Sequence, residues 1–182
     1  MRFSPCELDG VFLVELEPYR DERGFFARAF CTEEFAVHGL MTTVAQANVS
    51  FNHERGTVRG LHYQVEPAPE AKLFRCVGGA TYCVVVDVRP GSSTYGAHVG
   101  MELDAERGAA LYVPPLCATG YQALADGATA LYFVSHPYAP ECECGLRYDD
   151  PALGIDWPLP VTRVSEKDRS WPLLEAAGAA PR

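Results

Sequence analysis

The sequence predicts an all-β protein, a sandwich or barrel, from three features of its patterning. Short apolar or alternating runs recur along the chain, each bounded by Gly, Pro, Asn or Asp. Many-stranded antiparallel folds have this spacing. Residues 81–88 read Thr-Tyr-Cys-Val-Val-Val-Asp-Val, nearly continuous and β-branched, as a strand covered on both faces does. Helical periodicity, by contrast, is scarce.

The expected strands are 11–16, 25–30, 44–52, 57–64, 72–77, 81–88, 98–103, 110–113, 120–124 and 129–134. Turn chemistry separates them. Asp21-Glu22-Arg23-Gly24 precedes the second strand, and Asn52-His53-Glu54-Arg55-Gly56 closes the third. Gly78-Gly79, Arg89-Pro90-Gly91-Ser92-Ser93 and Asp126-Gly127 mark later turns. One short helix is expected where Thr32 caps, Glu33 and Glu34 sit near the positive end, and Gly39 closes. The Ala-rich end, residues 172–182, reads as a helix or a frayed tail. No repeat, linker or low-complexity block interrupts the chain, so a single domain over 1–182 is expected.

The chain has 182 residues, enough for one sizeable core, with 48% hydrophobic and 21% charged residues. A formal charge of −9 argues against general nucleic-acid binding, because a phosphate backbone demands a basic surface. No run approaches a membrane span, and Met-Arg-Phe-Ser-Pro lacks the apolar core of a signal peptide, so a cytoplasmic protein is expected. The seven cysteines are odd in number and include no C-x-x-C pair, which disfavours a disulfide framework. Cys142 and Cys144 form C-x-C, a weak zinc signal without partner ligands.

Several segments carry candidate chemistry. In 44–52, Gln46, Asn48, Ser50 and Asn52 share one face, and Ala45, Ala47, Val49 and Phe51 the other. The polar face is either a solvated exterior or the wall of a cavity, where amides both donate to and accept from a sugar. Arg59-Gly60-Leu61-His62 places a cation and an imidazole three residues apart, on opposite faces of a regular strand. They share a pocket only if the strand bulges, and Gly60 is the cheapest place for that. Lys72 at a strand start reads on its own as a surface charge, and Tyr132 as core. The run Ser165-Glu166-Lys167-Asp168-Arg169 reads as an exposed charged turn.

Taken together, these segments and others carry a resemblance. Asp21-Glu22-Arg23-Gly24-Phe25-Phe26, Arg59-Gly60-Leu61-His62-Tyr63-Gln64 and Ala71-Lys72-Leu73-Phe74-Arg75 occur in that order. Tyr138-Ala139-Pro140-Glu141, Gly154-Ile155-Asp156-Trp157-Pro158-Leu159 and Ser165-Glu166-Lys167-Asp168 follow. The set resembles the dTDP-4-dehydrorhamnose 3,5-epimerase family, in register from about Cys6 to Pro172.

The resemblance implies a cupin-type jelly roll working as a homodimer on a nucleotide-diphosphate-linked keto sugar, with no metal and no cofactor. By position, His62 matches the proton acceptor, Asp168 the carboxylate that orients it, Tyr132 the proton donor and Lys72 the cation beside the sugar carbonyl. Arg23, Gln46, Asn48, Arg59, Glu143 and Lys167 match substrate-binding positions, and Phe26 and Tyr138 match the pocket lining. In the family the segment around Arg23 crosses the dimer interface. The chain departs from the family pattern at two positions. Thr119 stands where members commonly carry His, and Arg28 where they often carry Glu. Both departures bear on which sugar is bound and which carbons invert.

Two rival readings belong to other classes. A metal-dependent cupin enzyme needs about three clustered ligands, but the chain has His62-Tyr63-Gln64 in place of His-x-His and Thr119 in place of a later histidine. A non-catalytic sugar-nucleotide-binding barrel is the other rival, since a fold never guarantees activity.

Overall fold

The structure, a computed structural model, describes residues 1–174. Its strands begin with β1 (Arg2–Pro5), β2 (Phe12–Glu15), β3 (Tyr19–Asp21) and β4 (Gly24–Phe26), followed by helix α1 (Thr32–Val37). Then come β5 (Gln46–Phe51), β6 (Val58–Gln64), β7 (Lys72–Gly78), β8 (Ala80–Asp87) and β9 (His98–Asp104). The chain continues through β10 (Ala110–Val113), β11 (Cys117–Ala123), β12 (Thr129–Val134) and β13 (Glu143–Gly145) to helix α2 (Glu166–Ser170).

Two antiparallel sheets form, in the orders β1-β2-β10-β7-β12-β5 and β13-β6-β11-β8-β9, and β3-β4 stands apart as a hairpin. From β5 to β12 the chain changes sheet at every step except the β8-β9 hairpin. This alternation is that of a jelly roll, and it places side chains of neighbouring strands face to face across the interior.

Period-two alternation explains three apolar layers. Phe74, Cys83, Val85, Leu111, Val113 and Ala130 meet between the sheets. The outer face of the first sheet, with Val14, Leu73 and Tyr112, is covered by α1 through Phe35, which is fully buried. Burial of a Phe side chain contributes about 1.5–3 kcal/mol. Leu61, Val84, Val86 and Ala118 on the outer face of the second sheet meet Leu146, Leu153 and Leu174. β8 is therefore covered on both faces, as its continuous apolar run predicts.

Most predicted strands are present with small shifts at their ends, and 110–113 and 129–134 match β10 and β12. The expected strand 25–30 ends at Phe26. Beyond it the chain turns to deliver Phe30 against Phe35, with ring centroids 4.8 Å apart. The Ala29 carbonyl there accepts from the buried Arg75 guanidinium at 3.0 Å. Arg75 also donates to the Gly108 carbonyl, and burial pulls its pKa down to about 10. The run 165–169 is not a loose surface turn but the N-cap and body of α2, with Asp168 buried. Of the Ala-rich end, residues 175–182 lie outside the described residues. All seven cysteines are free thiols.

The polar face of β5 turns inward: Asn52 is buried and Asn48 and Ser50 half-buried, while Val49 and Phe51 are exposed. β5 is also an edge strand. Among the described residues, no helix is long and apolar enough to cross a membrane.

Candidate active site

A cavity of about 640 Å³ opens between the two sheets and is closed on one side by α2 and the segment leading into it. β6 supplies Arg59 and His62 to the same wall. Arg59 pairs with Tyr121 and His62 with Thr119, so Gly60 and Leu61 together stand opposite Gly120 alone. This is the bulge that strict alternation requires if both side chains are to share a pocket. A Cβ at Gly60 would lie 2.5 Å from the Gly120 Cα, and φ there is +122°, so the position demands glycine.

His62 Nε2 lies 2.6 Å from Asp168 Oδ1. The carboxylate is held by its own backbone. Ser165 caps α2 by accepting from the Asp168 N–H at 3.0 Å, which fixes Asp168 in the first turn with its side chain directed inward. Asp168 Oδ2 accepts from the Gly60 N–H at 3.3 Å, tying the carboxylate to the bulge. Burial alone would raise the Asp168 pKa. The His62 bond and charge, with the Gly60 and Ser165 contacts, outweigh burial and hold it below its ordinary value. An ionised Asp168 accepts only, so Nε2 carries a proton, and in the neutral imidazole Nδ1 keeps the lone pair.

The opposite sheet supplies Tyr132 from β12 and Lys72 from β7. Tyr132 has a raised pKa, chiefly through burial, with Tyr121 and Glu70 adding to it and Arg59 opposing. Lys72 Nζ pairs with Glu70 Oε1 at 3.1 Å and donates to the His62 carbonyl at 3.2 Å. The wall thus brings a cation to the backbone of His62. Thr119, opposite His62 in register, donates from Oγ1 to the Val84 carbonyl at 3.0 Å.

Four of the predicted binding residues form a chain at the rim. Glu143 Oε2 accepts from Lys167 Nζ and from Tyr138 Oη, both at 2.6 Å, and the Tyr138 N–H donates to Gln46 Oε1 at 2.8 Å. Burial raises the Glu143 pKa, but the Lys167 and Tyr138 bonds prevail and lower it, and Glu143 in turn raises that of Tyr138. Of the four, Lys167 reaches the cavity wall. Asn48 sits beside Tyr132 in the ladder. Arg59 Nε donates to Asn52 Oδ1 at 2.9 Å.

Seven predicted site residues do not line this cavity: Gln46, Asn48, Tyr138 and Glu143, and also Arg23, Phe26 and Arg28. Arg23 pairs with Asp21 within the β3-β4 hairpin, Phe26 is 72% exposed, and Arg28 pairs with Glu34 of α1 at 3.3 Å. Other residues line the cavity without having been read from the sequence as candidates. Tyr121 and Phe74 follow from period-two alternation beyond Thr119 and Lys72. Arg163 arrives on an irregular segment bridged to Thr57, which leaves no pattern in the sequence. Among the described residues, no three His, Cys, Asp or Glu side chains gather as metal ligands.

The model of the dTDP-4-dehydrorhamnose 3,5-epimerase family matches residues 5–176. A relative of that name from Sinorhizobium fredii is 43% identical over 175 residues, 96% of this chain and 90% of the relative. The solved structure of NovW, a 4-keto-6-deoxy sugar epimerase of the novobiocin cluster of Streptomyces spheroides, superposes with a TM-score of 0.94. It is 39% identical, with 99% of this chain and 90% of NovW covered. ChmJ, a 3'-monoepimerase from Streptomyces bikiniensis solved with dTDP-quinovose, superposes with a TM-score of 0.90 at 38% identity, over 96% of this chain and 89% of ChmJ. A cupin-type jelly roll whose chain matches this family from end to end in sequence and in shape belongs to the dTDP-4-dehydrorhamnose 3,5-epimerase family of sugar-nucleotide epimerases.

Proposed function

We propose that the protein epimerises a dTDP-4-keto-6-deoxyhexose at the carbons flanking the keto group, C3, C5 or both, by proton transfer through an enolate. The observation that carries this reading is the 2.6 Å His62–Asp168 pair on one wall of a cavity whose facing sheet presents Tyr132 and Lys72. A keto group acidifies the C–H bonds beside it, so a neutral imidazole with a free Nδ1 lone pair can take one as a proton. Asp168 fixes the tautomer and stabilises the charge His62 gains. Lys72 meets the developing enolate oxygen. Tyr132, on the opposite sheet, returns a proton from the other face, and this inverts the centre. Arg59 and Lys167 suit the diphosphate, Arg59 through forked hydrogen bonds.

The working unit in this reading is a homodimer. Val49 and Phe51 on the edge strand are 70% and 52% exposed, and Tyr19 and Phe26 on the hairpin are 79% and 72% exposed. Apolar side chains along an open edge favour a second copy. Such a copy would bring the partner's hairpin, with Arg23 and Phe26, toward this cavity. The test is incubation of the wild-type protein with dTDP-4-keto-6-deoxyglucose in deuterated water. Deuterium at a carbon next to the keto group, with an inverted product, is expected; unlabelled, unchanged sugar contradicts the proposal and favours a binding barrel.

A second reading, restriction to one of the two carbons, is favoured by Thr119. Its hydroxyl hydrogen is committed to the Val84 carbonyl, so it offers a sugar acceptance but no donation.

A further inference from the structure

We infer that Trp171 is a positioning residue for His62, holding the imidazole in place by packing against it; this rests on the reading of His62 as the base.

The placement is built from both directions along the chain. Trp171 is the C-cap of α2, with φ −58° and ψ 149°, and Pro172 prevents the helix from continuing. Just beyond, the Pro172 carbonyl accepts from the Arg147 N–H at 3.2 Å, and the Leu174 N–H donates to Asp150 Oδ2 at 2.6 Å. The indole therefore hangs between a capped helix and an anchored exit. One short segment delivers Lys167, Asp168 and Trp171.

Room for the indole is made beside the base. In the β13–β6 ladder the residue paired with His62 is Gly145. A Cβ there would lie 2.5 Å from Trp171 Cδ2 and Cε2, so the missing side chain is the space the indole fills. The indole and imidazole rings stand 6.2 Å apart at 64°, within the range of edge-to-face aromatic pairs. Lys167 Nζ sits 5.6 Å over the same indole while bonded to Glu143.

The indole is not held there by a polar anchor. Trp171 Nε1 is the one buried side-chain nitrogen or oxygen among the described residues that lacks a hydrogen-bond partner. Buried indole N–H groups normally find an acceptor, and departures from local satisfaction concentrate at functional sites. What fixes this ring is packing against Gly145 and His62. An aromatic ring packed edge-to-face beside an imidazole restricts its rotation. Trp171 is not part of the cavity wall, so it acts through His62 and not on the substrate.

The experiment compares Trp171→Ala, Trp171→Phe and His62→Asn with the wild type. Trp171→Ala should lower kcat about tenfold, as expected for a loosened catalytic group, and leave KM within about threefold. Trp171→Phe, which keeps a ring, should recover most of the loss. A second measurement needs no substrate. In a Trp157→Phe background, His62→Asn should change the emission of Trp171, because the ring the indole packs against is replaced. A wild-type kcat in Trp171→Ala, or emission indifferent to His62→Asn, overturns the inference. Full activity in His62→Asn would instead overturn the assignment of the base, and with it the positioning role of Trp171, whatever the fluorescence does.

Discussion

Asp168 stands 106 residues from His62 in sequence and 2.6 Å from it in space, and the Gly60 N–H at 3.3 Å joins the same carboxylate to the bulge that turns His62 inward. Removing the charge while keeping the shape separates orientation from packing. Asp168→Asn should fold normally by circular dichroism and slow solvent exchange of the substrate C–H by about 10²–10⁴-fold, because the amide no longer selects the Nε2-protonated tautomer.

Acid sensitivity of the fold should be traceable to a second carboxylate remote from the site. Asp87 is fully buried and accepts from Arg89 Nη2 at 2.8 Å, Ser92 Oγ at 2.6 Å and Thr94 Oγ1 at 2.6 Å. Burial works to raise its pKa, and these bonds more than reverse that, leaving it well below the usual carboxylate range. A carboxyl whose folded pKa is depressed contributes its full stability above the unfolded value, about 3.9, and loses it as pH falls from there through the folded pKa. Asp87→Ala should cost about 3 kcal/mol or more at pH 7, at about 2–4 °C in Tm per kcal/mol. The gap from wild type should narrow as calorimetry is carried from pH 5 to pH 2.

Thr119 should bias the reaction between the two carbons without stopping it. Inverting both requires the sugar to present first one α-carbon and then the other to His62. The Thr119 hydroxyl is short and already donates to Val84. Loss of one neutral hydrogen bond costs about 0.5–1.5 kcal/mol, or about tenfold in rate. Fast deuterium incorporation at one α-carbon and slow incorporation at the other are expected by NMR, and Thr119→His should narrow the difference. Equal, fast labelling in the wild type would contradict this.

A dimer built on the exposed edge should be separable by charge. Val49→Lys places an ammonium on an outward position that is 70% exposed in the single chain and should fold unchanged. Sedimentation should then show the monomer, with activity falling in parallel. Full activity in a species that sediments as a monomer at assay concentration would rule out a site completed by the partner.

Most strands were legible because both sheets bury one face or two, which leaves a period-two or continuous apolar signature. β1, β3 and β13 were not, because runs of three or four residues held by pairing leave no periodicity. α2 was hidden by its charge density, although Ser165 three residues before Asp168 is a capping signature. In the site, the conflict between Arg59 and His62 on opposite faces pointed to a bulge at Gly60, where the register does shift. Glu70 beside Lys72, Arg163 in the cavity wall and Trp171 beside His62 were silent, since each depends on where irregular chain lands after folding.

The central claim is that His62 removes the proton next to the keto group, and its most direct measurement is substrate C–H exchange in deuterated water by His62→Ala against wild type. The account predicts a rate lower by about 10²–10⁴-fold or more, with dTDP-sugar still bound. Exchange at the wild-type rate would contradict it.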